Sequence, residues 1–201
     1  LEERFWDTVV IDVYINNNDR NNGNWGILWD EKNRINILAP IFDNGNSFNN
    51  KWSEGKMESL VKNKEELERL ALGARTAYER DGHVISAKKI LCIKDQGMRD
   101  AIIRVVPNIQ AHTKEIKALI NSLPEYYRDK EVCNDLRKEL YIDSLDIRLN
   151  KLLVPEYERL SHRDVHKMFE PNFGEYIDSI NRRVDTHEPA KGTNKNIDQS
   201  R

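Results

Sequence analysis

The chain is short of several things, and each shortage removes a class of function. Its 201 residues contain no apolar run long enough to span a bilayer and no secretory signal pattern. An excess of either charge is missing too. The 32 Lys and Arg against 34 Asp and Glu leave a net charge of −2, so no global field points to nucleic acid or an anionic membrane. Cysteine is scarce: Cys92 and Cys133 lie far apart without metal-ligand spacing, each in an apolar helical pattern. They are expected to be buried free thiols of a reducing cytosol. His162 and His166 stand four apart on one helical face, but no Glu or Cys completes a metal site at motif spacing. A starting Met is absent as well. LEERFWDTVVIDVYI repeats Phe5, Trp6, Val9, Val10 and Val13 at helical spacing with no capping residue ahead of it. The expectation is a helix already under way, in a piece of a longer protein.

What is present is polar, patterned and mostly helical. The first helix runs to about Ile15 and breaks into NNNDRNNGNWG, residues 16–26, where six asparagines surround Asp19 and Arg20. Such a run cannot build a core, and turn chemistry alone accounts for Asn, Asp and Gly there. Gly26–Trp29 and Ile35–Ala39 read as two strands of a hairpin turning through Asp30–Arg34. Beyond it, Asp43-Asn44-Gly45-Asn46-Ser47 forms a second polar loop, so both loops flank one hairpin. From Glu65 the pattern is helical: Glu65–Arg80 ends at Asp81-Gly82, Gln96–Val106 breaks at Pro107, and Ile109–Leu123 stops before Pro124. A long helix over Lys130–Leu153 follows, with a further one near Pro155–Met168 and an aromatic stretch bearing Phe169, Phe173 and Tyr176. The fold class expected is mainly α with a short β-hairpin. Residues 1–50 carry the polar loops, 51–185 a helical subdomain, and 186–201 a disordered tail without apolar anchors.

The spacing inside and between the loops carries the chemistry. Asp19 and Asn24 have four residues between them, follow a helix, and precede the hairpin; Asp43-Asn44-Gly45 stands on its far side. An acid, an Asn at that interval, a hairpin and a D-x-G triplet form the layout of a protein-kinase catalytic segment. Phosphoryl transfer needs a base for the attacking hydroxyl and hard oxygen ligands for magnesium, and these residue types supply both. A calcium-binding EF-hand loop is excluded, because counting from Asp19 puts Gly23 one place early and Asp30 at the twelfth position.

INNNDRNNGNWGILWDEKNRINILAPIFDNGNS closely resembles the core of HipA-like serine/threonine kinases, a bacterial toxin-kinase family. Asn17, Asp19, Arg20, Asn24 and Trp25 match the family's first motif; Leu38, Ala39, Pro40, Phe42, Asp43, Gly45 and Ser47 match its second. The likeness is specific over about residues 5–50. It implies that Asp19 is the catalytic base, that Arg20 positions the loop, and that Asn24 and Asp43 hold Mg2+ for ATP. It also implies the C-terminal lobe of a protein-kinase-like fold, a protein substrate, an antitoxin-type protein partner, and a cytoplasmic setting without nucleic-acid or membrane contact by this chain. Two positions depart from the kinase pattern. Asn21 stands where His is usual, which weakens loop anchoring, and Asn17-Asn18 replace the His-Arg of eukaryotic kinases. No G-x-G-x-x-G and no V-A-I-K-like strand occur, so the nucleotide lid is expected ahead of Leu1 and the isolated chain is expected to be inactive. The alternative is a binding module, a helical scaffold or regulatory partner derived from such a lobe.

Overall fold

The structure, a computed structural model, describes the backbone of residues 2–169 and the side chains of residues 2–162. Residues 1–162 and 163–201 cluster as separate units, and the elements below belong to the first up to its boundary in the last helix. The described residues are mostly helical, with three short antiparallel strand pairs. No described helix is long and apolar enough to cross a membrane.

Helix α1 (Glu2–Ile15) buries Val9, Val10 and Val13, the stripe its spacing predicts. The stripe packs against α5 (Gln96–Ala111), whose Met98, Ala101, Ile102 and Val106 are also buried. Leu145 of α7 (Asp135–Arg148) and Leu149, Leu152 and Leu153 of a π-helical turn close this core. A second, smaller core joins Met57 and Leu60 of α2 (Glu54–Lys62), Leu67 of α3 (Lys64–Leu72) and Leu140 of α7. Helix α7 therefore belongs to both. Burying each of these Val, Leu, Ile and Met side chains is worth roughly 1.5–3 kcal/mol. The first hairpin, β1 (Ile27–Asp30) and β2 (Ile35–Leu38), lies where the sequence places it.

Four expectations need correction. Residues 65–80 are not one helix: α3 stops at Leu72, and β3 (Arg75–Arg80) pairs with β4 (His83–Ser86). Asp81 and Gly82 both take positive φ, at 54° and 75°, so the Asp-Gly pair makes a hairpin turn rather than a helix stop. Thr76 and Tyr78, β-branched and aromatic, suit a strand, and each turns inward. Helix α5 continues through Pro107, because Val106 and Ile109 on either side are both buried and packing outweighs the lost hydrogen bond. The break falls at His112, and α6 (Thr113–Asn121) follows.

Residues 130–153 also divide. After a two-residue strand pair, β5 (Tyr126–Tyr127) with β6 (Lys130–Glu131), helix α7 begins only at Asp135. Its cap is Asn134, whose side chain accepts from the Arg137 N–H. Finally, Cys133 is buried but Cys92, just after α4 (Ala87–Leu91), is exposed; both are free thiols. Helix α8 (Val154–Phe169) agrees with the expected last helix. The side chains of His166 and Phe169, together with Phe173, Tyr176 and the 186–201 tail, lie outside what the structure describes.

Candidate active site

The two polar loops meet at one end of the β1–β2 hairpin. Gly26 permits this approach: a Cβ there would stand 3.1 Å from Ala39 Cβ, and its carbonyl accepts from Ala39 N–H at 2.8 Å. Across the gap, Asn24 Nδ2 donates to Asp43 Oδ2 at 2.6 Å. Asn46 Nδ2 donates to Asp19 Oδ2 at 2.8 Å, so the second loop reaches both acids of the pattern. Asp19 and Asp43 are exposed, whereas Asn24 is buried.

Arg20 is the brace beneath them. Its side chain is buried and makes a two-pronged pair with Asp12 of α1, at 2.9 Å from Nε and 2.8 Å from Nη2. It also donates to the carbonyl of Phe42 at 2.7 Å and to Asn44 Oδ1 at 2.6 Å, the residues flanking Asp43. Hydrogen bonding to Asp12 raises the pKa of Arg20, which keeps its charge throughout. Asp12 further accepts from Asn17 Nδ2 at 3.2 Å and from the Tyr78 hydroxyl at 2.7 Å. Burial, and then Asp12, push the Tyr78 phenol far above its usual range. One buried carboxylate thus gathers α1, the first loop and β3. A pair of this kind is costly to break, because the surviving charge stays buried and unpaired.

Asn21 does not leave the first loop loose. Its Oδ1 accepts from Gly23 N–H at 2.8 Å, while its own N–H donates to Asn24 Oδ1 at 2.9 Å, a reciprocal cap on a short 3-10 turn at Asn22–Asn24. The second loop is pinned by Phe48, whose N–H donates to Ile15 O at 2.8 Å and whose ring lies 4.9 Å from that of Tyr141. Asp43 holds φ at 56°, a conformation that Asp tolerates better than most residues.

The donor set can be tested against magnesium. Among the described residues no three His, Cys, Asp or Glu side chains converge on a metal site. Mg2+ does not need such a cage: it commonly takes one or two protein ligands, with water and phosphate oxygens completing its shell. Asp43 Oδ1 accepts no hydrogen bond among the described residues, and Asn24 Oδ1 keeps a second lone pair beyond the one used by Asn21. The residues therefore fit a cation delivered with a nucleotide. The Ser47 hydroxyl is buried without a partner among the described residues.

Sequence reasoning missed Asp12 and Tyr78. Asp12 carried a signal, a lone acid on the apolar face that also bears Val9 and Val13. Tyr78 had none, since its segment was read as helix.

In fold and sequence, the chain is similar to a serine/threonine protein kinase. That relative is the serine/threonine-protein kinase CtkA of Helicobacter pylori, 26% identical over 173 residues covering 81% of this chain and 50% of that protein. The crystal structure of a Helicobacter pylori proinflammatory kinase CtkA matches with a TM-score of 0.70 at 25% identity, over 81% of this chain and 57% of that one. The chain thus spans about half the length of the curated relative it matches. No family model matches it.

Proposed function

We propose that the chain is the C-terminal, catalytic lobe of a HipA-like kinase that transfers a phosphoryl group from ATP to a protein serine or threonine. The observation that carries this reading is the bond between Asn24 and Asp43 across loops that Arg20 braces from below. Kinship with CtkA supports the reaction class, and the unmatched half of that relative's length is where a nucleotide lid would lie.

Asn24 and Asp43 would hold Mg2+ with ATP, which when bound supplies the phosphoryl group and neutralises its charge. Asp19 would take the proton of the substrate hydroxyl on Oδ1, while Asn46 holds Oδ2 and so sets the carboxylate's orientation. Arg20 acts through Phe42 and Asn44 as a positioning residue, fixing the backbone on both sides of Asp43. A helical scaffold without catalysis would have no use for Asn24, Asp43 and Asp19 as a set.

The test is phosphorylation of a protein substrate by the full-length protein. Asp19→Asn should abolish transfer, since the base acts only in the transition state. Transfer at the unsubstituted rate would remove Asp19 from the role and bring the scaffold reading forward. The isolated chain should transfer no phosphate at a measurable rate, because positioning supplies much of this reaction's catalysis.

A further inference from the structure

A groove runs from the first polar loop along the β3–β4 hairpin. Two hollows form it, sharing Phe5, Tyr78 and Glu79 as a common wall. The smaller, about 340 Å³, opens against Asn21, Asn22 and Trp25, directly beside the loop that carries Asp19. The larger, about 660 Å³, extends from the shared wall to Arg80, Lys89 and Lys94. Its floor is aromatic and fixed: the Phe5 ring stacks on Trp25 at 5.9 Å and meets Trp6 and Tyr78 edge-on at 4.9 and 5.9 Å. Tyr78 is held in turn by its hydroxyl bond to Asp12.

The rim is not neutral. Lys89 and Lys94 are exposed and make no ion pair among the described residues, and Arg80 has only a loose 3.8 Å contact with the exposed Asp81. Of the two acids in the lining, Asp95 caps α5 by accepting from the Gly97 and Met98 N–H groups and sets one negative charge against these three cations. Glu79 stands in the shared middle. The end far from Asp19 is therefore basic, the middle apolar with one acid, and the near end polar.

We infer that this groove is the docking track for a substrate peptide. The peptide's serine or threonine would reach Asp19, an apolar side chain would rest on the Phe5 and Tyr78 rings, and acidic residues further along would meet Arg80, Lys89 and Lys94. The inference rests on the kinase reading for its direction. It goes further in naming an acidic, apolar-anchored peptide as the substrate class. Aromatic floors give contact area at low entropy cost, and a basic rim steers and selects an acidic partner. Glu79 disfavours acids next to the anchor and sets them at the distal end.

Binding tests this without catalysis. The probes are fluorescein-labelled peptides with one serine, one leucine and four glutamates, in both chain orders, and matched peptides with four lysines. Fluorescence anisotropy on this chain, with no nucleotide, should show one glutamate order binding at least about tenfold tighter than its lysine counterpart, with the gap narrowing at high salt. Lys89→Glu with Lys94→Glu should abolish or invert that preference, while Lys114→Glu on the exposed surface of α6 should leave it unchanged. Equal binding of the two charge types, no saturable binding of either, or a preference untouched by the double substitution overturns the inference. The two readings fail separately. Phosphoryl transfer by the full-length protein without preference for acidic peptides sinks the docking track alone. A charge preference seated on Lys89 and Lys94, with transfer surviving Asp19→Asn, sinks the assigned base alone.

Discussion

The two long hairpins of this chain are built on opposite terms. In β3–β4, Thr76 is buried and donates through its hydroxyl to Ile85 O, and Tyr78 reaches the carboxylate at the centre of the site. In β1–β2 nothing comparable happens. Ile27 pairs with Leu38 on one face, and Leu28 with Ile37 on the other, so both faces are apolar. Yet Ile27 is 63% exposed, Trp29 57%, and Leu28 49%. A two-stranded ribbon with uncovered apolar faces is marginal in water. The hairpin with charged edges is thus anchored, while the hairpin with apolar faces is uncovered, and hydrophobicity alone does not say which region belongs to the core. Contiguous exposed apolar surface marks a contact still to be made, as the proposed second lobe would make it.

The largest effect should come from the anchor that the anchored hairpin shares with the loops. Arg20→Met leaves Asp12 buried without its cation and should cost about 3–5 kcal/mol of unfolding free energy, measured by urea denaturation. A loss near zero would mean that Asp12 takes on water or a proton at no cost, and the contrast between the hairpins would weaken.

A gain is expected elsewhere on the same scale. Arg148 is fully buried, with no hydrogen-bond partner for its guanidinium among the described residues, and burial lowers its pKa to about 10. Arg148→Met should therefore stabilise the chain, by roughly 1–4 kcal/mol. An unchanged or lower melting temperature would show that the guanidinium has a partner that matters.

Tyr78→Phe removes one bond to a charged acceptor and should cost about 1.5–3 kcal/mol. Spectrophotometric titration sharpens the point. Tyr14, raised to about 12 by burial and the nearby Asp146, and Tyr78, raised further, should stay protonated above the ordinary range of a phenol. Because both folded pKa values lie above the unfolded one, their stabilisation is complete below about pH 10 and is lost as pH rises beyond it. Tyr78→Phe should remove one late-titrating group.

The smallest effect belongs to the uncovered hairpin. Trp29→Ser should change stability by no more than about 0.5 kcal/mol, since an exposed side chain in the isolated chain has little to lose. A loss of several kcal/mol would mean that Trp29 is covered after all.

How much of this could be read in advance follows from what each signal depends on. Helix α1, the β1–β2 hairpin and both polar loops were legible, because period-3.6 apolar spacing, short apolar runs flanking a polar turn, and Asn-Asp-Gly clusters are local. The β3–β4 hairpin was not. Glu65, Glu66, Glu68 and Arg69 set up a charged helical rhythm, and Asp81-Gly82 serves equally as a helix stop or a hairpin turn. Only the inward turn of Thr76 and Tyr78 onto the core decides between them. The proline in α5 misled for the same reason, since the segments that bury Val106 and Ile109 on either side of it lie elsewhere in the chain. Within the site, the loops declared themselves, but the carboxylate beneath them lay inside a helix stripe and its partner Tyr78 sat 66 residues further on.

Under the proposed function, the paired loops hold Mg-ATP on one side and a hydroxyl-directed base on the other. Calorimetric titration of Mg-ATP into the full-length protein and two variants tests it most directly. Asp43→Ala should weaken binding by about tenfold or more, because a metal ligand already serves the ground state, whereas Asp19→Asn should leave it within about twofold. Equal affinity for Asp43→Ala and the unsubstituted protein, or a collapse of binding in Asp19→Asn, would contradict the assignment of both loops.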